Sequence, residues 1–202
     1  MTINKKSDLY ALAGVVAFLI NAAFKIYDIF FFYINYGINI SSIDLLYLTV
    51  CIGFAALLFI RKKIMAFVAV SGLDVFTNIY ICIQYFTVSN LLKVLVSISV
   101  FVFVYYNCTR TKEDKTETND KIWFIPSLII ILRFLYLMIF HRLQNYLLYL
   151  SEYRNGMLLS YILSQIGLLF SDLIYFLSYT MLVLWFRETA KENSEISASS
   201  QD

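Results

Sequence analysis

Six apolar runs follow one another along this chain, most of them as long as a bilayer crossing, and that succession restricts its fold more than any other feature. About 20 consecutive apolar residues carry a helix through the hydrocarbon core. Inside that core only helices and closed barrels satisfy every backbone N–H and C=O. The runs fall at about residues 9–35, 43–60, 64–88, 91–106, 122–140 and 157–186. They predict an all-α, polytopic membrane protein with six transmembrane helices in one bundle. Composition agrees: 60% of the residues are hydrophobic and 15% charged, against roughly 25% charged in an average soluble domain. A net charge of +2, with no basic face, gives no reason to expect a nucleic-acid partner.

Residues 1–8 read as a short polar N-terminus and residues 9–188 as the membrane domain. Residues 189–202 are serine-rich and polar and read as a disordered tail. Lys5 and Lys6 before an apolar stretch resemble the start of a signal peptide. The apolar character runs on to Ile40, well past a 7–15-residue signal core, so a retained first span is expected. Arg61, Lys62 and Lys63 form a tight turn between the second and third runs. The mixed-charge segment 109–121 reads as a flexible loop, and residues 141–156 as an extension of the fifth helix or a helix on the membrane surface.

The third run carries the most telling polar groups. Ser71, Asp74 and Asn78 stand at i, i+3 and i+7, on one face of a helix, with Asp74 in mid-run. A mid-depth acid facing lipid costs about 2.5–3.5 kcal/mol on insertion scales, so this face should meet protein or water. Arg133 lies midway along the fifth run, and Gln165 and Asp172 lie inside the sixth. In the first run Asn21, Lys25 and Asp28 share a face. Lys25 and Asp28 are either solvated at an interface or buried and paired with each other, depending on where the membrane sits. The candidate buried polar cluster is therefore Asp74, Asn78, Arg133, Asp172, Ser71, Gln165, Lys25 and Asp28. Asp74 and Arg133 are the expected partners across the bundle, with Asp172 the alternative for Arg133.

Such a cluster either fixes packing or marks a path for a solute or ion. The first possibility fits a receptor-like, immunity or assembly subunit that binds a membrane partner or a second copy of the chain. The second fits a small non-enzymatic transport or solute-binding subunit. Enzymatic motifs are missing: there is no GxSxG, HExxH or Gly-rich phosphate loop. Cys51, Cys82, Cys108 and His141 lack metal-ligand spacing, so neither a metal nor a cofactor is expected.

Two partial resemblances bear on these classes. Tyr27-Asp28 and Ser71-Gly72-Leu73-Asp74 resemble the YD and GxGD pair of intramembrane aspartyl proteases, which implies two carboxyls sharing a proton. Ser71 stands where that motif has its first glycine, and the PAL signature of the presenilin branch is missing. Six spans in 202 residues also resemble the substrate-capture subunits of energy-coupling-factor vitamin transporters. Ala13-Gly14-Val15-Val16-Ala17 gives a small-xxx-small patch of the kind on which those proteins dock a coupling subunit. That likeness implies solute capture with a membrane partner.

Orientation follows from Lys and Arg placement. With the N-terminus inside, cytoplasmic segments hold Lys5, Lys6, Arg61, Lys62, Lys63, Arg110, Lys112, Lys115, Lys121, Arg187 and Lys191, and outer loops hold Lys93, Arg142 and Arg154. This bias predicts cytoplasmic termini in a cell membrane. An impermeant maleimide applied to intact cells should therefore leave Cys108 unmodified and should label it once the membrane is opened. Rapid labelling from outside would reverse the orientation.

Overall fold

A computed structural model describes residues 6–37, 41–61, 65–109, 122–141 and 158–199. Every element among them is helical: α1 (Lys6–Tyr36), α2 (Ser42–Ile60), α3 (Ala66–Gln84), α4 (Val88–Thr109), α5 (Phe124–Tyr136) and α6 (Leu158–Ser199). A short π-helical turn, Leu137–His141, follows α5. Five of the helices are long and apolar enough to cross a membrane, and the sixth, Phe124–Phe140, is shorter. Segment 110–121 and residues 142–157, on which the loop and surface-helix expectations rest, lie outside the described residues, as do Lys62 and Lys63.

Local signals explain the helix ends. Ser41-Ser42-Ile43-Asp44 forms a capping box: the Ser41 hydroxyl accepts from the Asp44 backbone N–H, and the Asp44 carboxylate accepts from Ser41 N–H. At the other end of α2, Arg61 takes a left-handed conformation (φ 58°) and its N–H reaches the carbonyls of Leu57 and Leu58. Between α3 and α4 the Thr87 hydroxyl accepts from Asn90 N–H, while the Asn90 amide reaches back to the Tyr85 carbonyl. Pro126 lies in the first turn of α5, where its missing N–H costs nothing.

Each helix packs on its neighbours in sequence, and α6 closes the ring by packing along α1. Were this ring placed in lipid, burying an apolar side chain between helices would gain no hydrophobic free energy, and close packing and interhelical hydrogen bonds would have to hold it together. Gly14 shows the closeness. A Cβ placed there would stand 2.8 Å from Leu58 Cδ1 and 3.5 Å from Met181 Cβ. Gly14 and Ala17 are buried inside the chain's own bundle, whereas Ala13 is half-buried and Val16 exposed, so only part of the small-residue patch faces outward.

The two ends of the ring differ. At one end Asp8 pairs with Arg61, Ser7 donates to Glu192, and the Arg187 guanidinium lies 4.1 Å from the Trp123 ring. The start of α1 and the far part of α6 thus share this end. The α6 helix continues to Ser199, through most of the segment expected to be disordered. Glu188, Ala190, Lys191 and Glu192 are strong helix formers, and extending an anchored helix needs no new nucleus.

Between the ends lies an aromatic core. Phe18, Phe54 and Tyr179 meet with ring centroids 5.0 to 6.2 Å apart. A second layer, closer to the Asp8–Arg61 end, joins Phe67 to Trp185 and Phe186, with Phe103 against Phe186. All of these rings are buried.

Candidate functional site

Asp74 sits just above this aromatic core, only 1% exposed. The α3 face that carries it reads Phe67, Ser71, Asp74 and Asn78, all buried, as the spacing predicts. One carboxylate oxygen accepts from the Asn78 side-chain amide at 2.8 Å and the other from the Tyr179 hydroxyl at 2.8 Å. Asn78 also donates to the Asp74 backbone carbonyl. The carboxylate is thus held by one group of its own helix and one of α6. Ser71 takes no part: its hydroxyl returns to the carbonyls of Phe67 and Val68 in its own helix.

The expected partnership of Asp74 with Arg133 is not formed, and no ion pair within 4 Å joins them. Arg133 stands against α6, with its Nη2 3.9 Å from Asp172 Oδ1 and its guanidinium 4.0 Å from the Tyr175 ring centroid. The reason is register. Tyr179 offers Asp74 a neutral donor from the facing turn of α6, and Asp172 lies two turns away beside α5. Arg133 Nε and the Tyr175 hydroxyl are both buried without a hydrogen-bond partner among the described residues.

A cavity of about 190 Å³ opens between the helices on the Asn78 side of Asp74. Asn21, Phe24, Lys25 and Asp28 of α1 line it, with Ile43, Asp44 and Tyr47 of α2, Asn78 and Ile81 of α3, Lys93 of α4 and Ser171 of α6. Beside it the Asn21 amide donates to Ser178 Oγ at 2.7 Å, tying α1 to α6. Lys25 Nζ lies 2.6 Å from Asp44 Oδ1, so Lys25 pairs with the capping acid of α2 and not with Asp28. Asp28 is exposed at the rim. The face shared by Asn21, Lys25 and Asp28 does line a polar space, but their partners come from other helices.

The two carboxyls of the protease likeness are apart. Asp74 is bonded to Asn78 and Tyr179, and the charges that act on Asp28 are Lys25 and Asp44. They do not form a proton-sharing pair. Gln165 is partly buried near the start of α6 and does not line the cavity. Among the described residues no cluster of His, Cys, Asp and Glu could hold a metal ion.

Sequence reasoning misses Asp44, Lys93, Tyr175 and Tyr179 as members of this region. A signal for two of them is present: Asp172, Tyr175 and Tyr179 repeat the i, i+3, i+7 spacing of Ser71, Asp74 and Asn78. Comparison with family models, with characterised proteins and with solved structures gives no match to this chain.

Replacing Tyr179 by Phe leaves one oxygen of Asp74 without its donor in a dry setting. Unfolding measured in detergent or lipid should show a loss of about 1–3 kcal/mol. Asp74→Leu combined with Tyr179→Phe should lose less than the sum of the two single changes, whereas Asp74→Leu combined with Arg133→Gln should be close to additive. Strict additivity in the first pair would mean that the Tyr179–Asp74 bond contributes nothing.

Proposed function

We propose that this chain is a multi-pass cell-membrane protein that takes a small solute or ion into the cavity between α1, α2, α3, α4 and α6, acting as a non-enzymatic transport or solute-binding subunit. The observation that carries the reading is the one-sided build of the bundle. Charged and amide side chains line a cavity at one end, and two aromatic layers fill the interior below Asp74. Ionisable groups within spanning segments commonly mark solute and ion paths. The cavity volume suits a small molecule: a void of about 150 Å³ in another, engineered protein accepts benzene, and drug-sized pockets start near 300 Å³.

The positive-inside bias puts the Asp8–Arg61–Glu192 end in the cytoplasm and the cavity mouth on the outer side. A solute would then enter from outside and stop at the Asp74–Tyr179 bond. A second reading draws on the same bond. Each oxygen of Asp74 has a donor within the chain, as it would if the polar groups only fixed packing in an assembly, receptor-like or immunity subunit.

A screen of small polar metabolites against the purified protein separates the two. A binder raises the melting temperature in a dose-dependent way. Ile81→Trp, which fills the cavity, should abolish that rise, and Asp8→Asn at the far end should leave it intact. If no solute shifts the melting temperature and a membrane partner co-purifies stably, the assembly reading holds and solute binding does not.

A further inference from the structure

Among the described residues, not every charge on the cavity wall has an ion-pair partner. Lys25 and Asp44 neutralise each other at 2.6 Å. Lys93, partly buried on α4, makes no hydrogen bond or ion pair with any described residue, although it lines the cavity. Asp28 likewise has no ion pair within 4 Å among the described residues. The two unmatched charges stand on different sides. Lys93 belongs to α4, within electrostatic reach of Arg133 and Asp172 and also of Lys25 and Asp74. Asp28 belongs to the wall of α1 and α2, within reach of Lys25 and Asp44.

Lys25, Lys93, Asp28 and Asp44 sum to no net charge. A singly charged solute would satisfy one unmatched group and leave the other against a ligand of no use to it. A neutral solute could hydrogen-bond to both groups but would neutralise neither. A small molecule that carries both an anionic and a cationic group can meet Lys93 with one end and Asp28 with the other while the cavity stays neutral. Ile43, Ile81 and Phe24 supply an apolar wall for the short chain between the two groups.

We infer that the solute is a small zwitterion of the amino-acid or betaine class, its anionic group set on Lys93 and its cationic group on Asp28. This rests on the solute-binding reading above and narrows it. The Lys25–Asp44 pair holds α1 against α2 so that Asp28 keeps its place.

The test is a melting-temperature titration of the full chain in lipid nanodiscs with probes of similar size and different charge. Glycine, β-alanine and γ-aminobutyrate are zwitterions of increasing charge separation; butyrate is an anion, pentylammonium a cation and butyramide neutral. At least one zwitterion should half-saturate at a concentration about tenfold or more below that of the other three. Lys93→Gln leaves the cavity net negative and should move the preference toward pentylammonium. Asp28→Asn should move it toward butyrate, and Lys93→Arg, which keeps the charge and reports that the fold tolerates change there, should keep the zwitterion first. If butyrate, pentylammonium or butyramide binds as well as or better than every zwitterion, the zwitterion assignment is overturned while the cavity remains a solute site. If none of the probes and no solute in the wider screen shifts the melting temperature, both are overturned.

Discussion

One buried carboxylate ties the middle of this bundle together. Asp74 sits midway along an apolar helix, where exposure to lipid is costly and where its own helix offers only one side-chain donor, Asn78. The remaining oxygen must be satisfied from another helix, and Tyr179 does so at 2.8 Å. That bond fixes the register of α6 against α3. With Tyr179 in place, its ring closes on Phe18 and Phe54, and seven residues further along α6 Phe186 meets Phe67 and Phe103. Spacing by seven keeps these groups on one face, so one polar contact aligns two aromatic layers.

The same constraint gives the bundle its polarity from end to end. Below Asp74 the interior is filled by rings, and helices approach closely where Gly14 meets Leu58. Above it polar and apolar side chains share the wall of a cavity of about 190 Å³. Asp44 connects local structure to this site. One of its oxygens completes the cap of α2 and the other holds Lys25 of α1, so a helix-start signal also builds the cavity wall.

The architecture was legible in the sequence because hydrophobic length is a one-dimensional property: the apolar runs place the helices, and the i, i+3, i+7 spacing of Ser71, Asp74 and Asn78 gives the buried face of α3. Partners were not legible, because they depend on the register between helices. Arg133 and Asp74 are both central and oppositely charged, yet Arg133 lies against Asp172 and Tyr175. Lys25 and Asp28 are three residues apart, yet Lys25 finds Asp44 across the α1–α2 connection. Lys93 counts as an interfacial charge by its position in the run, and only the packing of α4 turns it toward the cavity. The far part of α6 is polar enough to suggest disorder, and its docking through Glu192 to Ser7 is a tertiary contact that composition does not encode.

The central claim is a polar cavity at one end of the bundle, closed beneath by the Asp74–Tyr179 bond and the aromatic layers. An experimental structure in lipid nanodiscs, resolved well enough to show ordered water, tests it most directly. The account predicts water or solute density among Lys25, Asp28, Asp44 and Lys93, the Tyr179 hydroxyl within hydrogen-bond distance of Asp74, and a dry interior between Phe67 and Trp185. A lipid acyl chain in the cavity, or continuous water running past Tyr179 to the Asp8–Arg61 end, would contradict it.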